Sequence, residues 1–349
     1  MPSNILQSIV EITAQSDIDA LDCCLLNNLS DLYPGINFSI LKLIDKDMST
    51  RKYERVKFLS FMTRSECTNT DLINRHVIEV SPQHPALKSI IDNAIGIHTS
   101  DSHNQLIFPL SISQNLFGAL MIESQNQLPE PPEFSDFITI YQNIYYILNE
   151  SERDKLTGLF NRRTFEFKVN RLLNLQEHLH ETYSNSSFSH EHRAIHQKEF
   201  AWLAILDIDH FKSVNDNHGH IIGDEVLLRL SQLMMSSFRR SDLLFRFGGE
   251  EFVVILEPTD IQNAFNVLNR FRESLSSVDF PQVGQITIST GFTKISISDY
   301  PTDILDKADQ ALYFSKNNGR NQVQQYEKLI EDNLIAAEPE KPEGEIDLF

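Results

Sequence analysis

Phe245-Arg246-Phe247-Gly248-Gly249-Glu250-Glu251-Phe252-Val253-Val254-Ile255-Leu256 is the segment around which the C-terminal half of the chain is organised. Two apolar runs flank a glycine pair, the sequence form of a tight β-hairpin, because adjacent glycines accept the positive φ angles such turns require. Glu250 and Glu251 stand beside residues without side chains, so a phosphate or a metal ion can approach the backbone there. A solvated turn that happens to carry two acids is the plainer alternative, and this stretch alone does not separate them.

The neighbouring segments add to it. Upstream, Trp202-Leu203-Ala204-Ile205-Leu206-Asp207 reads as a buried strand ending in an acid, followed by Ile208-Asp209-His210-Phe211-Lys212. Asn215-Asp216 and a glycine-broken turn, Gly219-His220-Ile221-Ile222-Gly223-Asp224, precede a helix over 225–237 and the charged run Arg239-Arg240-Ser241-Asp242. Downstream, a helix over 261–276, a strand over 285–293 and a helix over 303–317 lead into Lys316-Asn317-Asn318-Gly319-Arg320-Asn321.

Asp207 at a strand end and Glu250 in the hairpin suit a hard cation, since Mg²⁺ takes one or two carboxylates together with substrate phosphates. Asp207 suits helix capping as well, but two acids on neighbouring strands favour metal. The backbone N–H groups of His210, Phe211 and Lys212, entering a helix, offer an anion cradle. Lys316 and Arg320, read as one helical turn apart, add two positive charges for a polyphosphate. Asn215 and Asp224 bracket a turn, and an amide with a carboxylate can read a guanine edge. Each of these residues is also unremarkable on a protein surface; their combination is what carries weight.

The N-terminal half reads differently. Helical spacing over 1–20 and 17–32 is followed by strands at 38–44 and 56–61, a helix at 85–93, and a hairpin of 105–110 with 116–123 joined through 111–115. Helices at both ends of an antiparallel sheet describe a small α+β domain. Pro129, Pro131 and Pro132 mark its end, and Phe134, Phe137, Tyr141, Ile144 and Leu148 then follow a 3-4-3-4 spacing. That spacing suits a coiled-coil seam between two chains or packing of the helix on its own domain. Residues 176–198 hold five of the chain's twelve histidines (His178, His180, His190, His192, His196) and read as a solvated loop. From Glu327 onward eight acids face two lysines and the periodicity fades, so a disordered acidic tail is expected over 326–349.

Composition sets the outer limits. With 349 residues and a hydrophobic share of 41%, the chain has room for two domains with real cores. No run approaches the roughly 18 apolar residues of a membrane span and no leader opens the sequence, so a cytoplasmic protein without membrane insertion is expected. Three cysteines, Cys23, Cys24 and Cys67, make no disulfide framework; a ligand-binding thiol pair is conceivable, and buried structural thiols are the plainer reading. A net charge of −19 argues against DNA as a partner, because phosphate-backbone binding needs a basic surface.

Taken in order, Asp154-x-Leu-Thr-Gly-Leu-x-Asn-Arg-Arg163, Asp207-x-Asp-x-Phe-Lys212, Asn215-Asp216-x-x-Gly-His220-x-x-Gly-Asp224, Gly248-Gly-Glu-Glu-Phe252 and Lys316-x-x-Gly-Arg-Asn321 resemble a GGDEF-domain diguanylate cyclase. The N-terminal order of elements resembles a GAF sensor domain. The fold these resemblances imply is an α+β two-domain protein: a GAF-like sensor over 1–128, a signalling helix over 129–153, and a nucleotide-cyclase or palm-like α/β GGDEF domain over 154–325. The implied reaction joins two GTP molecules into cyclic di-GMP across a homodimer. Mg²⁺, two ions per site with Mn²⁺ able to substitute, would be held by Asp207, the Ile208 carbonyl and Glu250. Glu251 would take the 3′-hydroxyl proton or contact a second metal, and Asn215 and Asp224 would read guanine. Gly249 would let the phosphates lie close, with His210, Phe211, Lys212, Lys316 and Arg320 holding them.

Arg239 and Asp242, six positions ahead of the glycine pair, are similar to the family's Arg-x-x-Asp product-inhibition site, with Arg270 as a cross-domain partner. The GAF resemblance implies that residues 1–128 receive a signal, an unidentified small molecule or protein. Two rival readings are a silent cyclic di-GMP receptor and a GTP-binding regulator of a separate phosphodiesterase.

Overall fold

The computed structural model of the protein describes residues 2–43, 56–62, 76–80, 95–99, 104–112, 115–125, 132–185, 200–239, 241–296 and 299–336. They fall into two compact units, Met1–Arg153 and Asp154–Phe349.

In the first unit, helices α1 (Pro2–Thr13) and α2 (Ile18–Leu32) precede strands β1 (Asn37–Leu43), β2 (Val56–Met62), β3 (His76–Val80), β4 (Gly96–Thr99), β5 (Asn104–Ile112) and β6 (Asn115–Ser124), and α3 (Pro132–Glu152) closes it. The strands form one antiparallel sheet in the order β3-β2-β1-β6-β5-β4. Alternate residues of the central strands (Phe38, Ile40, Leu106, Phe108, Leu110, Leu120 and Ile122) face Leu21, Leu25 and Leu29 of α2 and one stripe of α3 in a shared core. Asp17 caps α2, its carboxylate accepting from Ala20 N. The expected α+β arrangement and its 105–123 hairpin are therefore present, while the 85–93 helix and Cys67 lie outside the described residues.

The 3-4-3-4 stripe faces inward. Phe137, Tyr141 and Leu148 are buried in their own unit's core, with Ile144 partly buried against it. Tyr141 Oη donates to Asp22 Oδ1 at 2.6 Å, and the Lys42 ammonium bonds the same carboxylate. Asp22 is wholly buried, and burial lifts its carboxyl above the ordinary range against the opposing charge of Lys42. A carboxylate so placed requires donors; the tyrosine of the stripe is one of them. The spacing thus corresponds to packing within the unit rather than to a seam left over for a second chain. Cys24 packs partly buried against this core, and burial pushes its thiol up, as suits a structural thiol.

In the second unit, β7 (Phe160–Asn161) and α4 (Arg162–Asn185) lead to the central strand β8 (Phe200–Ile208). Helices α5 (Phe211–His218) and α6 (His220–Ser237) follow, then the hairpin of β9 (Leu243–Gly248) and β10 (Glu251–Thr259), then α7 (Ile261–Ser276). A small ribbon of β11 (Asp279–Phe280) and β12 (Gly284–Gln285) precedes β13 (Ile288–Lys294), α8 (Pro301–Asn317), β14 (Val323–Gln325) and α9 (Tyr326–Glu331). The sheet order is β14-β13-β8-β10-β9-β7; β13–β14 and β7–β9 are parallel and the other pairs antiparallel.

Eight of the nine residues of β8 are buried, because both sheet faces are covered. On one face Trp202, Ala204, Leu206 and Ile208 meet residues of α5, α6 and α7. On the other, Ala201, Leu203 and Ile205 meet Phe165 and Val169 of α4 and Ala308 and Leu312 of α8. A near-continuous apolar strand is what a three-layer packing requires.

Several boundaries differ from the sequence reading. Helix α4 runs to Asn185, into the segment read as a solvated loop over 176–198, so His178 and His180 lie in a helix; no glycine or proline interrupts that stretch, and Leu172, Leu175 and Leu179 keep helical spacing. His190, His192 and His196 lie outside the described residues. Helix α6 begins at His220, five residues early, and the strand expected over 285–293 divides into β12 and β13. Residues 326–336 are ordered, contrary to the expected tail. Tyr326 and Leu329 bury against Ala311, and Glu327 Oε1 accepts from Thr293 Oγ1 at 2.7 Å and Lys294 N at 3.0 Å. Acidic composition hid two core residues and one acid with fixed partners.

Strand β13 meets α8 backbone to backbone at Gly291. A methyl group there would lie 2.1 Å from Leu312 N and 2.3 Å from Ala308 O, neither able to rotate away. Gly291→Ala is therefore expected to push α8 off the sheet and destabilise the C-terminal unit by about 2 kcal/mol or more. Chemical denaturation with a probe for that unit checks this, and an unchanged midpoint would contradict the close approach.

Candidate active site

The site is built where β8 ends. Strand register sets Glu251 of β10 and Ser289 of β13 directly beside Asp207. Alternation puts Asp207 on the face shared by Ala201, Leu203 and Ile205, beneath α8. Lys316, in the last turn of α8, places its Nζ 2.8 Å from Asp207 Oδ2. The hairpin turns through Gly249 and Glu250, with Glu251 paired to Gly248 and a register shift before the Phe252–Arg246 pair. Gly248 and Gly249 have φ of 154° and 51°; the second lies in the left-handed region that glycine tolerates.

Electrostatics mark this corner. Burial pushes the Asp207 carboxyl above the ordinary carboxylate range; Lys316 opposes by hydrogen bond and charge, and Asp209 adds to the rise. Glu250 is raised as well, first by burial and then by the Asp207 charge, with Lys316 opposing. Half-buried Glu250 and buried Asp207 thus share the Lys316 ammonium, a donor set of hard oxygens suited to a divalent cation. Among the described residues, no group of three or more His, Cys, Asp or Glu is placed to hold a metal alone. A pair of carboxylates fits Mg²⁺ if substrate phosphates complete the shell.

The other candidates are distributed around this corner and α5. His210 precedes α5 in a left-handed conformation (φ 59°) and is exposed, Phe211 is buried in the core, and Lys212 is exposed. Asn215 is half-buried on α5, and Asp224 is exposed in the second turn of α6. Lys316 and Arg320 are not one helical turn apart: α8 stops at Asn317, and Arg320 sits in the following turn at φ 61°. Arg239, Asp242 and Arg270 come together elsewhere, lining a cavity of about 510 Å³ with Asn263 and Asn266. Asp242 is committed to the local backbone, accepting from Arg239 N at 2.8 Å and Glu257 N at 3.1 Å, while burial raises its carboxyl.

Three supporting residues carry no role in the sequence reading. Asp209 is buried and accepts from Thr287 Oγ1 (2.7 Å), Ser289 Oγ (2.7 Å) and Asn321 N (3.0 Å), which ties the end of β8 to the turn after α8. Arg272 reaches the same turn, donating to Asn321 Oδ1 at 2.8 Å. Arg246 donates to Gly249 O at 2.9 Å and to Asp154 Oδ1 at 3.1 Å, so the first residue of the unit buttresses the hairpin turn. The Asp-x-Asp spacing and an Arg three residues before Gly249 were the available signals; their partners lie up to 112 residues away.

Residues 181–322 match the family model "Diguanylate cyclase, GGDEF domain". The chain is 36% identical over 178 residues to the Escherichia coli K12 protein named probable diguanylate cyclase DgcC, covering 50% of this chain and 43% of that one. It is 30% identical over 238 residues to diguanylate cyclase A of Treponema denticola, covering 66% of this chain and 60% of that one. The crystal structure of the GGDEF domain of DgcB from Caulobacter crescentus, in complex with c-di-GMP, matches at 30% identity with a TM-score of 0.42, over 51% of this chain and 96% of that domain. Residues 181–322, within the C-terminal unit, thus carry a GGDEF domain. The chain spans about half the length of the curated relatives it matches.

Asp154 offers a pH test of the buttress. Partial burial works against its ionised form, but hydrogen bonds from the Thr157 hydroxyl and N–H and then from Arg246 bring its carboxyl below the ordinary 3.8. A depressed folded-state value means stability that is present above the unfolded value and lost as pH falls through the folded one. Asp154→Asn should lower Tm by about 2–4 °C at pH 7, as suits roughly 1 kcal/mol for a half-exposed group. That deficit should shrink below about pH 4 in thermal scans; a deficit independent of pH would contradict the assignment.

Proposed function

We propose that the C-terminal unit condenses two GTP molecules into cyclic di-GMP, releasing two pyrophosphates, in a homodimer that brings two half-sites face to face. The observation that carries this reading is the convergence of Asp207, Glu250, Glu251 and Lys316 at the end of β8 in a domain of this family. A receptor has no use for paired desolvated carboxylates beside a phosphate-binding lysine.

Asp207, the Ile208 carbonyl and Glu250 would hold Mg²⁺, which when bound polarises the α-phosphate and lowers the pKa of the attacking hydroxyl. Asn215 and Asp224 read guanine. The carboxylate accepts from the ring N–H and exocyclic amine, while the amide donates and accepts. The N–H groups of residues 210–212, with Lys316 and Arg320, hold the triphosphate, and Gly249 leaves room for it. Glu251 takes the 3′-hydroxyl proton as the oxygen bonds the α-phosphorus of the other GTP and the α–β anhydride breaks. Each domain supplies one nucleotide, so catalysis requires the two to meet.

The first unit acts as a GAF-like sensor that receives an unidentified small molecule or protein and shifts how two cyclase domains face one another. Arg239, Asp242 and Arg270 bind product in the 510 Å³ cavity and inhibit the enzyme. The protein works in the cytoplasm; no helix among the described residues is long and apolar enough to cross a membrane.

Incubation with GTP and Mg²⁺ and chromatography of the products tests the reading. The wild type should form cyclic di-GMP and the Glu250→Ala, Glu251→Ala double variant none. Cyclic di-GMP bound by the protein with no GTP turnover under any condition would favour the receptor instead. In the same assay Arg239→Ala should keep its initial rate and lose product inhibition; inhibition at the wild-type product concentration would remove that role.

A further inference from the structure

The glycine at position 223 is not explained by its backbone. It is buried in α6 without a positive φ, a setting in which alanine is the better helix former. Its surroundings supply the reason. A methyl group on Gly223 would lie 2.0 Å from Asn215 Oδ1, 3.1 Å from Asn215 Cγ and 3.3 Å from Phe211 Cζ. The atom it meets hardest is the end of an asparagine side chain, which can swing aside, whereas at Gly291 the obstacle is backbone. A methyl at 223 therefore leaves the helix intact and displaces the Asn215 amide.

We propose that Gly223 is a positioning residue for base recognition: the missing side chain on α6 is the space in which the Asn215 carboxamide of α5 takes its guanine-reading orientation. This rests on the reading of Asn215 given above and adds a second position to it. Helices α5 and α6 are joined through the single residue Gly219, whose N–H bonds Asn215 O at 2.9 Å. The two faces cannot separate to relieve the overlap, so the asparagine rotamer takes the change. Gly223→Ala should thus weaken the nucleotide site while sparing the fold, the reverse of what an ordinary packing glycine would do.

The test uses the full chain and guanosine α,β-methylenetriphosphate, which resists cleavage at the linkage the reaction breaks, with Mg²⁺ present. Calorimetric affinity and Tm are measured for wild type, Gly223→Ala, Asn215→Ala and the double variant. Gly223→Ala should keep or raise Tm and weaken binding about tenfold, the scale of one net hydrogen bond. It should add nothing in the Asn215→Ala background. Equal weakening in both backgrounds, a marked fall in Tm, or unchanged affinity in a Gly223→Ala variant would each overturn the inference. Wild-type affinity in Asn215→Ala would instead remove the guanine reading on which it rests.

Discussion

Burial at the end of the central strand works against the charged form of a carboxylate, which there needs a positive partner. Asp207 resolves the conflict through Lys316, 2.8 Å away, at the last turn of a helix pressed against the sheet. Much of the C-terminal unit serves this contact. The backbone-to-backbone approach at Gly291 sets the height of α8 over the sheet. The antiparallel register of β10 on β8 sets Glu251 beside the same acid. Because Asp207 and Glu250 both remain raised despite the lysine, the corner still favours added positive charge.

Around it lie two sets of polar ties. Asp209 binds the strand end to the turn carrying Arg320, and Arg272 grips the same turn from α7. Arg246 holds the carbonyl of Gly249 and is held by Asp154. Fully bonded networks of this kind fix geometry as much as they stabilise, since each member left alone would be costly. Fixed geometry is what phosphoryl chemistry asks of a protein, whose share of the work is largely positioning.

The fold of the C-terminal unit was legible in the sequence to the extent that its signals are local. The glycine pair announced the hairpin, the apolar run into Asp207 announced a buried strand, and helix 261–276 was read to its exact ends. What escaped depends on partners distant in sequence. Nothing near Tyr141 says that Asp22 needs its hydroxyl, so a heptad-like stripe fitted two destinations equally. Nothing in an acidic segment says that Glu327 bonds Lys294 N or that Tyr326 and Leu329 find Ala311. Asn215 and Gly223 stand in one sequence motif, but only three-dimensional contact shows the glycine making room for the amide.

The most direct measurement is a Mn²⁺ titration followed by electron paramagnetic resonance, with and without the α,β-methylene GTP analogue, on wild type and Asp207→Asn. Weak binding to the free protein, marked tightening by the nucleotide and loss of the tightened site in Asp207→Asn are expected. Nucleotide-tightened Mn²⁺ binding of wild-type strength in Asp207→Asn would contradict this.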